Sequence, residues 1–322
     1  MKTKISKYSK YMDIKRVEFI ITWECAGRCR HCQAGDSINK KGPHNHVIAK
    51  YAVEAIEKLS TVFDIKSVMT FGGEPLYYPD VVCAIHKKAT DCGIKTREVI
   101  TNGYFTNSAE KSKSVAQSLF DAGVNHLPIS VDAFHQEYIP IEPVYRFVRD
   151  VIDAKIPGAF LHPAWLVNES HDNPYNAKTR EILEKFSDLG IPASKHGVDL
   201  HGSAAKFLFE YYPEQQPLNR DDPNLATPCD GPANVGGFCI MPNGDVSVCG
   251  FIIGNIYEED ILDIVSRYDP YKNEAMAAVI NGGIAGLLSY AEKQGVSIDI
   301  SKYYSSCWDA CNAIAECLSC KK

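Results

Sequence analysis

The first sixteen residues lack any apolar run long enough for a signal peptide or a membrane anchor. They are locally basic instead, with Lys2, Lys4, Lys7, Lys10, Lys15 and Arg16. They read as a solvated arm, with contact to an acidic peptide segment as the sharper reading. Sixteen residues are also too few for a peptide-leader-binding domain. The chain as a whole lacks a basic excess. Its net charge of −6 argues against nucleic acid as the main partner. It lacks internal repeats and low-complexity segments. It lacks a secretory signal, so its 12 cysteines do not read as a disulfide framework. A reducing cytoplasm is the expected setting, with no membrane partner. Between Cys32 and Cys229 cysteine is nearly absent, at Cys83 and Cys92 only. Those two fall on one helical pattern beside Val81, Val82 and Ile85, and read as buried thiols packing as small hydrophobes.

What is present suits a globular chain. With 45% hydrophobic and 23% charged residues over 322 positions, a sizeable core is available, and one large domain plus a smaller one is expected. From residue 17 the pattern alternates. Strands are expected at Val17–Thr22, Ile65–Phe71, Lys95–Ile100, His126–Val131, Gly158–Val167 and Ala193–Leu200. Helical spacing fills the gaps at His46–Phe63, Pro79–Cys92, Ser108–Ala122, Pro143–Ala154 and Ala177–Leu189. This gives an α/β fold with a parallel sheet, a partial (β/α)6 TIM-like barrel over 17–206. Residues 207–228 are rich in proline and acidic residues and read as a linker. A small hairpin-plus-helix auxiliary domain follows over 229–322. Its hairpin pairs Phe238–Met241 with Val246–Val248 around Asn243-Gly244. Helices are expected at Glu258–Arg267 and Asn273–Lys293, the second with a break or close packing at Gly282, Gly283 and Gly286.

Three cysteines follow strand one directly, as C-x3-C-x2-C: Cys25, Cys29 and Cys32. Three thiolates on one loop can hold three irons of a [4Fe–4S] cluster and leave the fourth iron open for chemistry. The competing reading is zinc, which usually takes four protein ligands; none is obvious here. In parallel α/β sheets functional residues gather at the C-terminal strand ends. Strand two ends in Gly72-Gly73-Glu74-Pro75, where glycines allow close backbone approach to a ligand and the carboxylate can receive an ammonium group. Strand three ends in Thr101-Asn102-Gly103. Strand four ends in Ser130-Val131-Asp132, suited to a carboxylate or to ribose hydroxyls. Strand six ends in the small-residue turn His201-Gly202-Ser203-Ala204-Ala205.

Taken together, these motifs over residues 17 to about 206 resemble the radical S-adenosylmethionine (radical SAM) superfamily. The resemblance implies that Cys25, Cys29 and Cys32 carry a [4Fe–4S] cluster. It implies that S-adenosylmethionine chelates the open iron and is reductively cleaved to a 5′-deoxyadenosyl radical, which takes a hydrogen atom from substrate. Gly72, Gly73 and Glu74 would hold the amino group, Ser130 the carboxylate, and Asp132 with Asn102 the ribose side. His31 and the turn at Gly202–Ala204, including Ser203, would border the adenine. His31 is a departure, because the family usually places an aromatic residue there. A low-potential donor such as flavodoxin or ferredoxin is the implied electron source.

Cys229 and Cys249 flank the hairpin in a manner similar to a SPASM or twitch domain, which implies at least one auxiliary [4Fe–4S] cluster. Cys307 with Cys311 complete it in the favoured reading, and Cys317 with Cys320 are the other candidate pair. Cys239 has three readings that spacing does not separate: a fourth ligand, a buried thiol, or a hydrogen donor to a product radical. Some peptide epimerases carry their donor cysteine directly after the second hairpin ligand, where this chain has Gly250. The expected activity is modification of a ribosomal peptide or protein by cross-linking, oxidation or epimerisation. The alternatives are a radical SAM dehydrogenase or modifier of a small molecule, and a non-catalytic iron–sulfur scaffold or electron carrier.

Overall fold

The computed structural model describes residues 8–320. Lys2, Lys4 and Lys7 of the basic arm lie outside them. Strand β1, Met12–Thr22, starts five residues earlier than expected. Met12 and Ile14 are buried while Asp13 and Lys15, alternating with them, are not, so the period-2 pattern begins inside the arm. Helix α1 (Ala49–Val62), β2 (Ser67–Gly72), α2 (Pro79–Asp91), β3 (Thr96–Val99), α3 (Ala109–Asp121) and β4 (Leu127–Ile129) follow in right order. Then come the short α4 (Ala133–Gln136), α5 (Ile141–Asp153), β5 (Ala159–Leu161), α6 (Pro174–Glu184) and α7 (Ser203–Phe207). Ser108 caps α3 by accepting from the Lys111 N–H at 3.2 Å. Helix α5 buries Val144, Phe147, Val148 and Val151 at i, i+3, i+4 and i+7, the stripe that seats a helix on a sheet.

β1, β2 and β3 pair in parallel, with Glu18 level with Met69 and Met69 level with Glu98. Isolated bridges continue the order through β4, β5 and the 193–197 segment. The expected sixth strand, Ala193–Leu200, is reduced to two of those bridges, at Ala193 and Gly197. Its sequence carries Lys195, His196 and Gly197 where an apolar alternation is needed. The sheet has an outer face, with Val17, Phe19, Ile21, Val68, Val99, Leu127 and Leu161 in the main core. Its inner face, which forms the barrel lumen, carries Arg16, Glu18 and Glu98 around Met69.

The C-terminal part adds to this sheet. β6 (Val235–Ile240) pairs in parallel with β1, placing Gly237 beside Arg16 and Cys239 beside Glu18. β7 (Asp245–Val248) and β8 (Phe251–Asn255) then extend it antiparallel, giving the order β3-β2-β1-β6-β7-β8. β8 was not expected. The turn that makes it is Cys249-Gly250, with φ +50° and +82°, a two-residue hairpin link of the kind normally marked by Asn-Gly. Helices α8 (Ile261–Arg267), α9 (Glu274–Lys293) and α10 (Asn312–Ser319) close the fold. α9 is broken at Gly282 and Gly283, the first of the two outcomes that its glycines suggest. Among the described residues no helix is long and apolar enough to cross a membrane.

Candidate functional site

The β1 exit carries Cys25, Cys29 and Cys32 into one small volume. Gly27 has the Cys29 and Cys25 sulfurs on its open side, 3.2 and 3.7 Å from where a Cβ would stand. The Gly27 N–H donates to Cys25 Sγ at 3.3 Å and Asn102 Nδ2 lies 3.5 Å from it. Burial pushes the Cys25 thiol up to about 11, with Glu74 and Cys32 adding to it. Burial, then Asp132 and the other two thiols, pushes Cys29 higher still, and burial raises Cys32. A buried thiol set whose neighbours are carboxylates and other thiols becomes a thiolate set when a cation sits among them. The donor set therefore fits a metal cluster, with sulfur ligands that favour iron or zinc.

The Gly72–Glu74 turn wraps this loop. Gly73 N–H donates to the Thr22 carbonyl and Glu74 N–H to the Glu24 carbonyl, both at 2.7 Å. A Cβ on Gly73 would stand 2.2 Å from the Glu24 carbonyl oxygen, so the glycine serves close packing on the loop stem. Glu74 is fully buried. Its Oε1 accepts from the Leu76 N–H at 2.9 Å and the Thr101 hydroxyl at 2.7 Å; its Oε2 accepts from the Asn102 N–H at 2.8 Å. Burial pushes its pKa up to about 7 against these donors. The carboxylate thus ties the ends of β2 and β3 together and fixes Asn102 beside Cys25.

Asp132 differs from expectation. It caps α4, with Oδ1 accepting from the Phe134 and His135 N–H groups at 2.9 and 3.0 Å. Its Oδ2 meets His135 Nδ1 at 2.7 Å and the Ala164 N–H at 3.1 Å. Four protein donors fill the carboxylate, which leaves it no free lone pair for ribose hydroxyls. Burial alone would raise this carboxyl; His135, then His31, hold it well below the carboxylate range. The group presented beside Cys32 is instead imidazole. His31 packs against Phe134 and His135, with ring centroids 5.0 and 4.8 Å away. The residue is half-buried, its Nδ1 is shut off from solvent without a partner, and the loss of solvent pushes it down to about 4. Ser130 is buried at the top of β4, joined to Thr101 through its N–H. Gly202 and Ser203 lie directly on the Cys32 carbonyl, where the Ser203 N–H donates at 3.0 Å.

Below the cysteine loop the lumen is lined by polar groups that the sequence did not mark as site residues. Arg16 reaches Glu18 at 2.5 Å and Glu98 at 3.0 Å. His126 Nδ1 lies 3.2 Å from the other Glu98 oxygen. His162 stacks on His196 at 5.5 Å and holds Ser194 Oγ at 2.9 Å. Period-2 placement on β1 and β3 was the signal for Arg16, Glu18 and Glu98, while His126 and His162 flank β4 and β5.

The C-terminal cysteines divide. Cys229 and Cys249 both have their sulfurs 3.5 Å from the open side of Gly231. Cys311 is raised to about 12 by burial, then by Cys249, Cys307 and Cys229, and its sulfur lies 3.9 Å from the Cys249 carbonyl oxygen. Four thiols thus converge. Cys317 and Cys320 are exposed on and after α10, with Tyr303 and Lys40 as their charge neighbours. Cys239 stays apart from the four. It faces the lumen level with Glu18, and burial, then Glu18, raises it above the ordinary thiol range. At position 250 a side chain is excluded, because a Cβ would stand 2.1 Å from Asn312 Oδ1 and φ is +82°.

Comparison with known proteins gives matches over part of the chain. A probable GTP 3′,8-cyclase of Methanocaldococcus jannaschii is 28% identical over 187 residues, 55% of this chain and 57% of that protein. A GTP 3′,8-cyclase of Listeria monocytogenes is 29% identical over 131 residues, 41% of this chain and 37% of that protein. The matches therefore span less than two thirds of these relatives. Among solved structures, BtrN in complex with AdoMet and 2-DOIA aligns over 90% of this chain and 92% of its own at 16% identity, with a TM-score of 0.49. The Radical SAM superfamily profile matches residues 19–202, from within β1 to the turn on the Cys32 carbonyl, and the chain belongs to that superfamily.

Proposed function

We propose that the chain is a radical SAM enzyme that takes a hydrogen atom from a small polar molecule held in the barrel lumen. Cys25, Cys29 and Cys32 would hold the catalytic [4Fe–4S] cluster, and Cys229, Cys249, Cys307 and Cys311 a second one. When bound, the cluster and S-adenosylmethionine supply a one-electron cleavage that yields the hydrogen-abstracting 5′-deoxyadenosyl radical. The protein's part is placement. The Gly72–Glu74 backbone, Asn102 and Ser130 border the open side of the cysteine loop. Neutral His31 offers one donor and one acceptor nitrogen to an adenine. Four thiolates satisfy a [4Fe–4S] cluster, so the second site suits electron transfer over substrate ligation.

The lumen lining carries the small-molecule reading. Its histidines, Ser194 and carboxylates suit a compact hydrogen-bonding molecule. Its basic group, Arg16, is already held by Glu18 and Glu98. The relatives' names, which specify a nucleotide, support the small-molecule alternative over the peptide substrate expected first. With Arg16 engaged, the lumen offers little countercharge to a triphosphate. The test is anaerobic turnover of the reconstituted, reduced protein with S-adenosylmethionine. The panel contains GTP, guanosine, amino sugars and peptides, and 5′-deoxyadenosine is quantified. Stimulation by a member of the small-molecule set is expected, with guanosine or an amino sugar ahead of GTP. Stimulation by peptides alone overturns the reading. Cys29→Ala should abolish 5′-deoxyadenosine and lower iron from about eight to about four per chain, the count of one cluster.

A further inference from the structure

The turn His201–Ser203 touches both cysteine groups. On one side the Cys32 carbonyl accepts from Ser203 N–H at 3.0 Å and from Gly35 N–H at 3.2 Å. Gly202 lies so close that a Cβ there would be 2.4 Å from the Gln33 carbonyl oxygen and 2.8 Å from that of Cys32. On the other side stands Asp309. Its Oδ1 accepts from the Gly202 N–H at 3.3 Å, and its Oδ2 lies 3.2 Å from His201 Nδ1. The Trp308 ring stacks on His201 at 5.9 Å with a 28° tilt. Asp309 belongs to the π-helical turn Ser306–Cys311, midway between Cys307 and Cys311. The His201 and Asp309 side chains are 18% and 9% exposed, so their contact is shielded from solvent screening.

We propose that Asp309 is a positioning residue that fixes the Cys32 turn from the C-terminal cysteine group. The state of one group then reaches the other through the Asp309–Gly202 and Ser203–Cys32 hydrogen bonds. The inference rests on the reading that both groups hold clusters. Ligation of Cys307 and Cys311 pins the π-helical turn on both sides of Asp309. Asp309 then holds the Gly202 amide, and the next amide, Ser203, stays on the carbonyl of a cluster ligand. Hydrogen bonds and dipoles around ligating sulfurs set a cluster's potential and spectrum. A purely local role for Asp309 in the tail leaves those properties untouched.

The experiment compares Asp309→Asn and Asp309→Ala with the wild-type holoenzyme. Iron and sulfide are counted, and the reduced Cys25/Cys29/Cys32 cluster is followed by electron paramagnetic resonance and potentiometry, with and without S-adenosylmethionine. Asn keeps an oxygen for the Gly202 N–H but loses the charge facing His201; Ala loses both. The expected result is a graded shift in midpoint potential and in the S-adenosylmethionine-induced spectral change, larger for Ala than for Asn, at unchanged iron content. Should Ala fail to load iron, the shift in Asn decides. Wild-type spectra and potentials in every variant that loads fully overturn the inference. A wild-type protein whose iron count matches a single cluster overturns the two-cluster reading instead.

Discussion

At the scale of single residues, the motifs whose chemistry lies in short spacing were legible and their hydrogen-bond partners were not. Cys25, Cys29, Cys32 and the Gly72–Glu74 turn stand out because short spacing carries their chemistry. Asp132 was legible as a site residue but not in its role. A carboxylate three residues before His135 reads equally as a ribose ligand and as a helix cap, and the structure shows the cap. His86 was invisible in sequence. It is fully buried between α2 and β2, with Nε2 at 2.9 Å from Thr70 Oγ and Nδ1 unpartnered. Burial, then Arg97, pushes it down to about 3. An unfolded chain binds this proton near pH 6.5 and the folded one does not. The stability it supports is complete above about pH 6.5 and drains as pH falls towards the folded pKa. His86→Leu should flatten the acid limb of stability against pH in urea titrations of the metal-free protein. It should also cost about 1–2 kcal/mol at pH 8, where the Thr70 hydroxyl loses its partner. An acid limb identical to wild type would rule out His86 as its source.

At the scale of elements, helices with strong apolar stripes were read to within a few residues, because burial of one face decides them. Strands were read less well. The 193–200 segment has too few apolar positions to stay a strand. β8 was missed because its turn places a cysteine in the left-handed region, where Asn-Gly is the usual mark. That strained Cys249 is a ligand candidate, in keeping with strain gathering at functional sites. The break in α9 has a definite purpose. Gly283 has φ +57°, and a Cβ there would stand 2.4 Å from the carbonyl oxygens of both Leu225 and Thr227. The helix opens to let that segment pass, and Cys229 follows it with its N–H on the Val279 carbonyl. Gly283→Ala should therefore displace Cys229. Iron should fall from about eight towards about four per chain while the Cys25/Cys29/Cys32 cluster keeps its spectrum. Equal loss from both clusters would point to general unfolding instead.

At the scale of the whole molecule, the sequence suggests two metal regions joined by a scaffold. The structure joins them more closely, through one six-stranded sheet. Nothing in the linker's proline and acidic residues signals that β6 lies against β1, because partner choice between distant strands is set by packing. A sheet shared by both regions should melt as one unit. In urea, far-ultraviolet circular dichroism and tryptophan fluorescence should report coincident transitions for the metal-free protein. Two separated transitions would show that β6–β8 can leave the sheet independently.

The parallel pairing of β1 with β6 has a consequence for how the chain comes into being. More than two hundred residues separate Arg16 from Gly237, its partner in register. While the intervening barrel is being made, β1 keeps one edge of unpaired amides and carbonyls, with the cysteine loop at its end. Closing so long a loop is slow, and an open apolar edge invites pairing with other chains. A nascent chain stalled before residue 235 should therefore be the aggregation-prone one, and release past β8 the point at which it becomes safe.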